Sequence, residues 1–275
     1  MIWLALIAGH LLSDFVFQSG FVEERKGVHL ARHVLVVALT TGATLLLLER
    51  WAPTGLGPFW VLAVAAAVAL AHGAQDAVVA RAQPKNLIRL GIDQLVHLVV
   101  LWSVARALAS FPEVSAVPVA SVVARITSGT AENSISGATL GETGVWVFAA
   151  LVGIVFLALG TAVTAVLIAH LLEPYRVAMT RDSEGGVAHD VDLLPKAGLW
   201  IGLCERFLLI LAIAVGTEVV PAVGLLMGVK SIYRFRDLDK RTRAEYYLLG
   251  TLLSVTAAVV AGIALRWVVS NTPLP

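Results

Sequence analysis

Gly91-Ile92-Asp93-Gln94-Leu95-Val96-His97-Leu98 opens an apolar stretch long enough to cross a bilayer. Four residues apart in a helix, its acid and its imidazole share one face. In lipid such groups are costly, need partners and mark function. Two earlier stretches carry the same pair in reverse order, His10-Leu11-Leu12-Ser13-Asp14 and His72-Gly73-Ala74-Gln75-Asp76. The three pairs are expected to meet in one buried site that binds metal.

Composition supports a membrane setting. The chain is 58% hydrophobic and only 14% charged, with a mean hydropathy of +0.85. Soluble domains carry about 25% charged residues, so the expected fold is an all-α polytopic bundle of about eight membrane segments. A net charge of +1 gives no reason to expect nucleic acid as a partner. Cys204 is the single cysteine, which excludes an intramolecular disulfide and a cysteine-based zinc site; in an apolar segment it reads as inert packing. Met1–Phe17 lacks a basic start, and His10, Asp14 and the following Gln18 interrupt its apolar run. It therefore reads as a retained first membrane helix and not as a signal peptide.

Apolar segments run over about 2–18, 33–49, 59–80, 87–109, 145–172, 198–217, 221–235 and 246–269. All are expected to be helical, because lipid offers no partner to open backbone groups. Segment 221–235 is short and reads as a half-span or a steeply placed helix. Lysine and arginine in alternate short loops set the orientation. Arg25, Lys26 and Arg32, then Arg81, Lys85 and Arg89, then the run from Lys230 to Arg243 mark the cytosolic side. Both termini then fall outside. The chain divides into 1–109, holding the His/Asp pairs, an extracytoplasmic loop 110–144, and a second membrane half 145–275 with cytosolic loops 173–197 and 230–245.

Orientation and spacing can be checked against each other. The first and third segments run inward and read His-x-x-x-Asp; the fourth runs outward and reads Asp-x-x-x-His. Each Asp then lies nearer the cytosol and each His deeper by about 6 Å. His33 opens the second segment at slightly shallower depth, with His29 one turn before it. The candidate ligands are His10, Asp14, His33, His72, Asp76, Asp93 and His97. Imidazole and carboxylate without thiolate suit zinc, manganese or iron. Seven ligands exceed one tetrahedral zinc with an open position but suit two divalent ions sharing carboxylates, the arrangement that activates water for phosphoryl transfer. Some of the acids can instead orient the imidazoles from outside. The plainer alternatives are intrahelical hydrogen bonds, a proton relay or a structural polar cluster. Gln18 and Gln94 read equally as donors that orient ligands or as ordinary interhelical bonds. His170 reads as solvated at the interface, and His189-Asp190-Val191-Asp192 as part of a polar loop.

In the second half, Glu205 and Arg206 are adjacent in an apolar segment and need partners there. One reading pairs them with neighbouring helices. The other makes Glu205 a base or ligand and places Arg206 or Lys230 on a phosphate. The basic run Lys230-Ser231-Ile232-Tyr233-Arg234-Phe235 is also the kind that attracts an anionic head group.

The run His10-x3-Asp14-Phe15-x2-Gln18, Lys26, His33, His72-x3-Asp76 and Asp93-Gln94-x2-His97 resembles the uncharacterised bacterial membrane family catalogued as domain of unknown function 3307. Gly198-x3-Gly202-x2-Glu205-Arg206, Lys230-Ser231-x2-Arg234-Phe235 and Ala244-Glu245-Tyr246 fit its longer members. The resemblance implies a bacterial inner-membrane, multi-pass protein and implies no activity. Gln18, Lys26 and Gln94 are expected to support the ligands. A looser likeness, in ligand pattern only, is to all-helical zinc phospholipase C and P1 nuclease enzymes. Their N-terminal tryptophan ligand has no counterpart in Met1-Ile2-Trp3. The function expected from the residues is metal-dependent hydrolysis of a phosphorylated or lipid-linked substrate from the cytosolic face, among membrane lipids. Two alternatives are a proton- or cation-coupled transporter, weakened by outer helix halves of nearly pure Ala, Val and Leu, and a non-enzymatic scaffold.

Overall fold

A computed structural model describes residues 1–17, 26–52, 54–79, 87–111, 114, 142–175, 177, 197–216, 221, 224, 228 and 241–271. Among them are eight α-helices and no strand. In chain order these are α1 (Ile2–Leu11), α2 (Lys26–Trp51), α3 (Gly57–Val79), α4 (Leu87–Leu108), α5 (Glu142–Ala158), α6 (Thr164–Leu171), α7 (Ala197–Val215) and α8 (Arg241–Asn271). Six helical stretches are long and apolar enough to cross a membrane, with α5 and α6 forming one of them, Val145–Leu171. The protein is a helical membrane protein. The first helical stretch, Ile2–Val16, is a shorter apolar helix, below the roughly 20 residues of a full crossing. Segment 221–235 lies almost wholly outside the described residues.

The chain packs as two units. The first is Met1–Ala158 with Val268–Pro275, the second Leu159–Trp267. α5 therefore packs with the first four helices.

The core of the first unit is Leu6, Val37, Leu45, Leu48, Val61, Val68, Leu101, Leu151 and their neighbours. Large apolar side chains such as Leu39, Leu62, Leu95, Val99 and Trp102 face outward, as lipid permits. The α2–α3 turn is tied by one carboxylate. Thr54 donates its backbone N–H (2.9 Å) and hydroxyl (2.7 Å) to Glu49 Oε2, and the Gly55 N–H donates to Oε1 at 3.1 Å. Glycines at 55 and 57 take φ of 84° and 62° there, conformations that L side chains rarely adopt. The hairpin closes tightly at its other end too, where a Cβ on Gly73 would overlap Val34 Cγ2. α1 approaches α2 the same way: a Cβ on Gly9 would stand 3.0 Å from Thr41 Cα. These contacts bring His10, His33 and His72 together.

The second unit packs Ile210, Ile213, Ala258, Ala261 and Leu265. Gly160 sits where an added Cβ would lie 2.6 Å from Ile210 Cδ1. Cys204 is exposed, not packed, so on this point the sequence reading is corrected: its helix turns that face away from the unit's core.

Candidate metal centre

All seven proposed ligands lie in the first unit, and they converge. α1 supplies His10, and the π-helical turn Leu12–Val16 that continues it supplies Asp14. Single π turns recur at functional sites because one extra residue re-aims a side chain. α2 supplies His33, α3 supplies His72 and Asp76, and α4 supplies Asp93 and His97. The four imidazoles are buried. Ring centroids of His72 and His97 are 4.0 Å apart, of His33 and His72 5.0 Å, and of His10 and His97 5.1 Å.

Four donor atoms form the centre of the cluster. His33 Nε2 and His72 Nε2 are 3.0 Å apart. Asp14 Oδ1 is 3.1 Å from His72 Nε2 and 3.5 Å from His33 Nε2. Asp76 Oδ2 is 3.3 Å from His33 Nε2 and 3.5 Å from His72 Nε2. A tetrahedral ion bound at about 2.0–2.2 Å sets its ligand atoms about 3.3–3.6 Å apart, and the separations within the set His33, His72 and Asp76, 3.0, 3.3 and 3.5 Å, lie within a few tenths of an ångström of that range.

Each imidazole Nε2 carries at most one proton and each ionised carboxylate none, so at most two of the five separations are linear hydrogen bonds. Protons on the two imidazoles, or a cation among the four atoms, would balance the two carboxylates.

Each shared carboxylate turns its second oxygen to a further imidazole. Asp14 Oδ2 is 3.7 Å from His10 Nδ1, and Asp76 Oδ1 is 3.6 Å from His97 Nε2. Both of those nitrogens are buried without a hydrogen-bond partner. His10 Nε2 is 3.1 Å from Gln94 Oε1; donating there leaves Nδ1 a bare lone pair facing an acid. Asp93 Oδ1 lies 3.7 Å from His97 Nδ1. Three sets therefore each bring together potential ligand atoms within 4.8 Å: His10, Asp14 and His72; His33, His72 and Asp76; Asp76, Asp93 and His97. The donor set is imidazole and carboxylate, suited to zinc, manganese or iron.

Gln94 thus bonds a ligand from outside, while Gln18 lies outside the described residues, and Lys26 is helical with its side chain outside them. Two supporting residues escaped the sequence reading. Gln75 Nε2 is 2.8 Å from His97 Nδ1, 3.0 Å from the Asp93 carbonyl and 3.2 Å from Asp93 Oδ1. Ser13 Oγ lies 3.0 Å from Asp14 Oδ1 and 2.8 Å from the His10 carbonyl, two acceptors that share its single proton. A polar residue directly beside a pair, in an otherwise apolar run, was the available signal for both.

Glu205 and Arg206 belong to the second unit. Arg206 is buried, donating from Nε to the Thr161 carbonyl at 3.2 Å and from Nη1 to Ser254 Oγ at 2.9 Å. Thr161 lies in a π turn, Leu159–Val163, where the shifted ladder frees carbonyls for such a bond. Lys230 and the 189–192 run lie outside the described residues. His170 is exposed and bonds the Val166 carbonyl of its own helix.

Residues 2–123 match the family described as "Protein of unknown function (DUF3307)". That is the family the amino-terminal motifs resemble, and the match contains every residue of the cluster. The later motifs, from Gly198 onward, lie beyond it. Among curated proteins and among solved structures none matches the chain.

Proposed function

We propose that the cluster holds divalent metal and that the protein is a metal-dependent hydrolase of a phosphorylated substrate, working at the cytosolic side of a bacterial inner membrane. The observation that carries this reading is the approach of two carboxylates, Asp14 and Asp76, to within 3.1–3.5 Å of the same pair of imidazole nitrogens, His33 Nε2 and His72 Nε2, which are 3.0 Å apart. Four protein ligands make a closed site, the structural kind; Asp76, Asp93 and His97 make a three-ligand site that leaves one position open, the catalytic kind. Asp76 belongs to both sets and would contribute to each. Ions held so near one another supply a nucleophilic hydroxide at neutral pH and a clamp on both oxygens of the displacement.

The chain's own residues then do the positioning. The Asp93 carbonyl accepts from His97 Nδ1 and from Gln75 Nε2 and so fixes the His97 ring, Gln94 fixes His10, and Ser13 fixes Asp14. Charge favours an anionic substrate. Three carboxylates against two divalent ions leave the centre about one positive charge in excess, in surroundings where such an excess is costly.

The transporter alternative asks for a polar route away from the cluster. Among the described residues, the buried side chains farther along these helices are apolar apart from Thr40, Thr41 and Thr44. Two of these hydroxyls, Thr40 and Thr44, are bonded to carbonyls of their own helix. That supports a closed centre over a conduit.

The test is metal content of the purified full chain, together with inorganic phosphate released from p-nitrophenyl phosphate. At least one tightly held ion per chain is expected, lost together with hydrolysis in His33→Ala/His72→Ala. A metal-free wild type, or hydrolysis that survives in the double variant, refutes the proposal.

A further inference from the structure

An open groove of about 610 Å³ runs along the outside of the first unit, a volume typical of small-molecule sites. One end is bounded by Leu12 and Phe17, which flank Asp14, and by Arg32, the neighbour of His33. From there it follows Val36, Leu39, Ala43 and Leu47 of α2, closed at the side by Ile154 of α5. Those α2 positions are three and four residues apart, so the groove is a single helical row wide. Arg32 to Leu47 rises about 22 Å, more than the roughly 15 Å of half a hydrocarbon core.

The lining decides the occupant. Thr40 and Thr44 also border the groove, but their hydroxyls bond the carbonyls of residues 36, 37, 40 and 41. They therefore present methyl groups, and the walls offer a polar ligand no hydrogen bonds. Among the described residues Arg32 is the one charged side chain on the lining, and it stands at the end nearest the cluster. A ligand complementary to this surface is a single long hydrocarbon chain ending in an anion.

We propose that the groove binds the alkyl chain of a membrane-embedded phosphate monoester, with its phosphate at Arg32 and directed to the Asp14–His33 edge of the centre. This rests on the metal-centre reading and narrows its substrate to lipid phosphates. The chain length fixes how far the head group reaches, so a short soluble phosphate lacks the positioning that the groove provides. Arg32 bears the positive charge that draws the head group out of the interface.

The test uses the full chain in phosphatidylcholine vesicles and a single-chain alkyl phosphate with a diazirine near the chain end. The matching alkyl alcohol serves as the uncharged control. Irradiation should label α2 and α5 around Leu47 and Ile154. Labelling by the phosphate probe should fall about tenfold in Arg32→Gln, the loss expected for one charge-assisted contact. It should fall as far in Ala43→Trp, which fills the groove without touching the charge. Label spread equally over the outward face of α4 at Leu95, Val99 and Trp102, or labelling indifferent to both variants, overturns the proposal. Metal content is read on the same samples. Wild-type protein that keeps its metal but shows no groove labelling overturns the groove alone, whereas labelling in metal-free protein supports the groove and sinks the centre.

Discussion

Gln75→Leu separates a metal centre from a polar packing cluster more sharply than removing a ligand does. Leucine nearly conserves volume, so the change removes hydrogen bonds with little loss of packing. The amide reaches His97 Nδ1 at 2.8 Å and Asp93 Oδ1 at 3.2 Å, two members of the three-ligand set. No hydrogen bond joins it to His33, Asp14 or the Nε2 of His72. Loss of an outer partner weakens metal binding by about 10- to 100-fold, or about 1.4–2.7 kcal/mol. The expected result is therefore selective: the more weakly held ion loses that factor, and the ion in the closed set stays within about twofold. Stepwise competition of zinc-loaded protein with a chelator of known affinity gives both constants. If both steps weaken together, or the weaker step does not move, the assignment of Asp76, Asp93 and His97 to a separate ion is wrong.

Three further outcomes follow from the packing and charge. Gly73→Ala drives a methyl into Val34 and should cost about 1–3 kcal/mol in thermal denaturation; Val34→Ala in the same chain should recover most of it, because the obstruction is that one side chain. Arg206→Leu leaves the Thr161 carbonyl and Ser254 hydroxyl without their donor, so unfolding should become easier by about 1–3 kcal/mol, while metal content stays at the wild-type value; a loss of ions would tie this arginine to the centre. Inorganic phosphate should tighten the weaker ion, and by linkage that ion should tighten phosphate by the same factor; calorimetric titrations showing no coupling, or a weakening, contradict the charge argument.

Much of the cluster was legible because membrane helices obey simple geometry. A polar pair four apart in an apolar run has one face, and the basic loops give each run a direction, so matched depth follows from counting. That logic reaches His10, His72, Asp76, Asp93 and His97 without knowledge of tertiary contacts. It reaches Gln94 as one of two readings, and the 3.1 Å contact to His10 is an interhelical hydrogen bond compatible with both. What it misses depends on backbone irregularity. The π turn at Leu12–Val16 sets where Asp14 points, yet Leu-Ser-Asp-Phe-Val carries no mark that separates π from α.

Which carboxylate oxygen faces which imidazole was equally out of reach, because it is decided by how closely the helices approach. Gly9 and Gly73 govern that approach, and in sequence they look like tolerated small residues in apolar helices. Their importance appears only when the space for a Cβ is found to be filled by Thr41 and Val34. The same contacts explain why an expensive group of three acids and four imidazoles is held in one arrangement. With α1 and α3 pressed against α2 by missing side chains, none of these three helices can move outward to separate the two carboxylates without losing close-packed contacts. The charge of Asp14 and Asp76 has therefore to be balanced in place, by protons on His33 and His72 or by a cation among them, and the proposed metal centre rests on that enforced proximity as well as on the identity of the side chains.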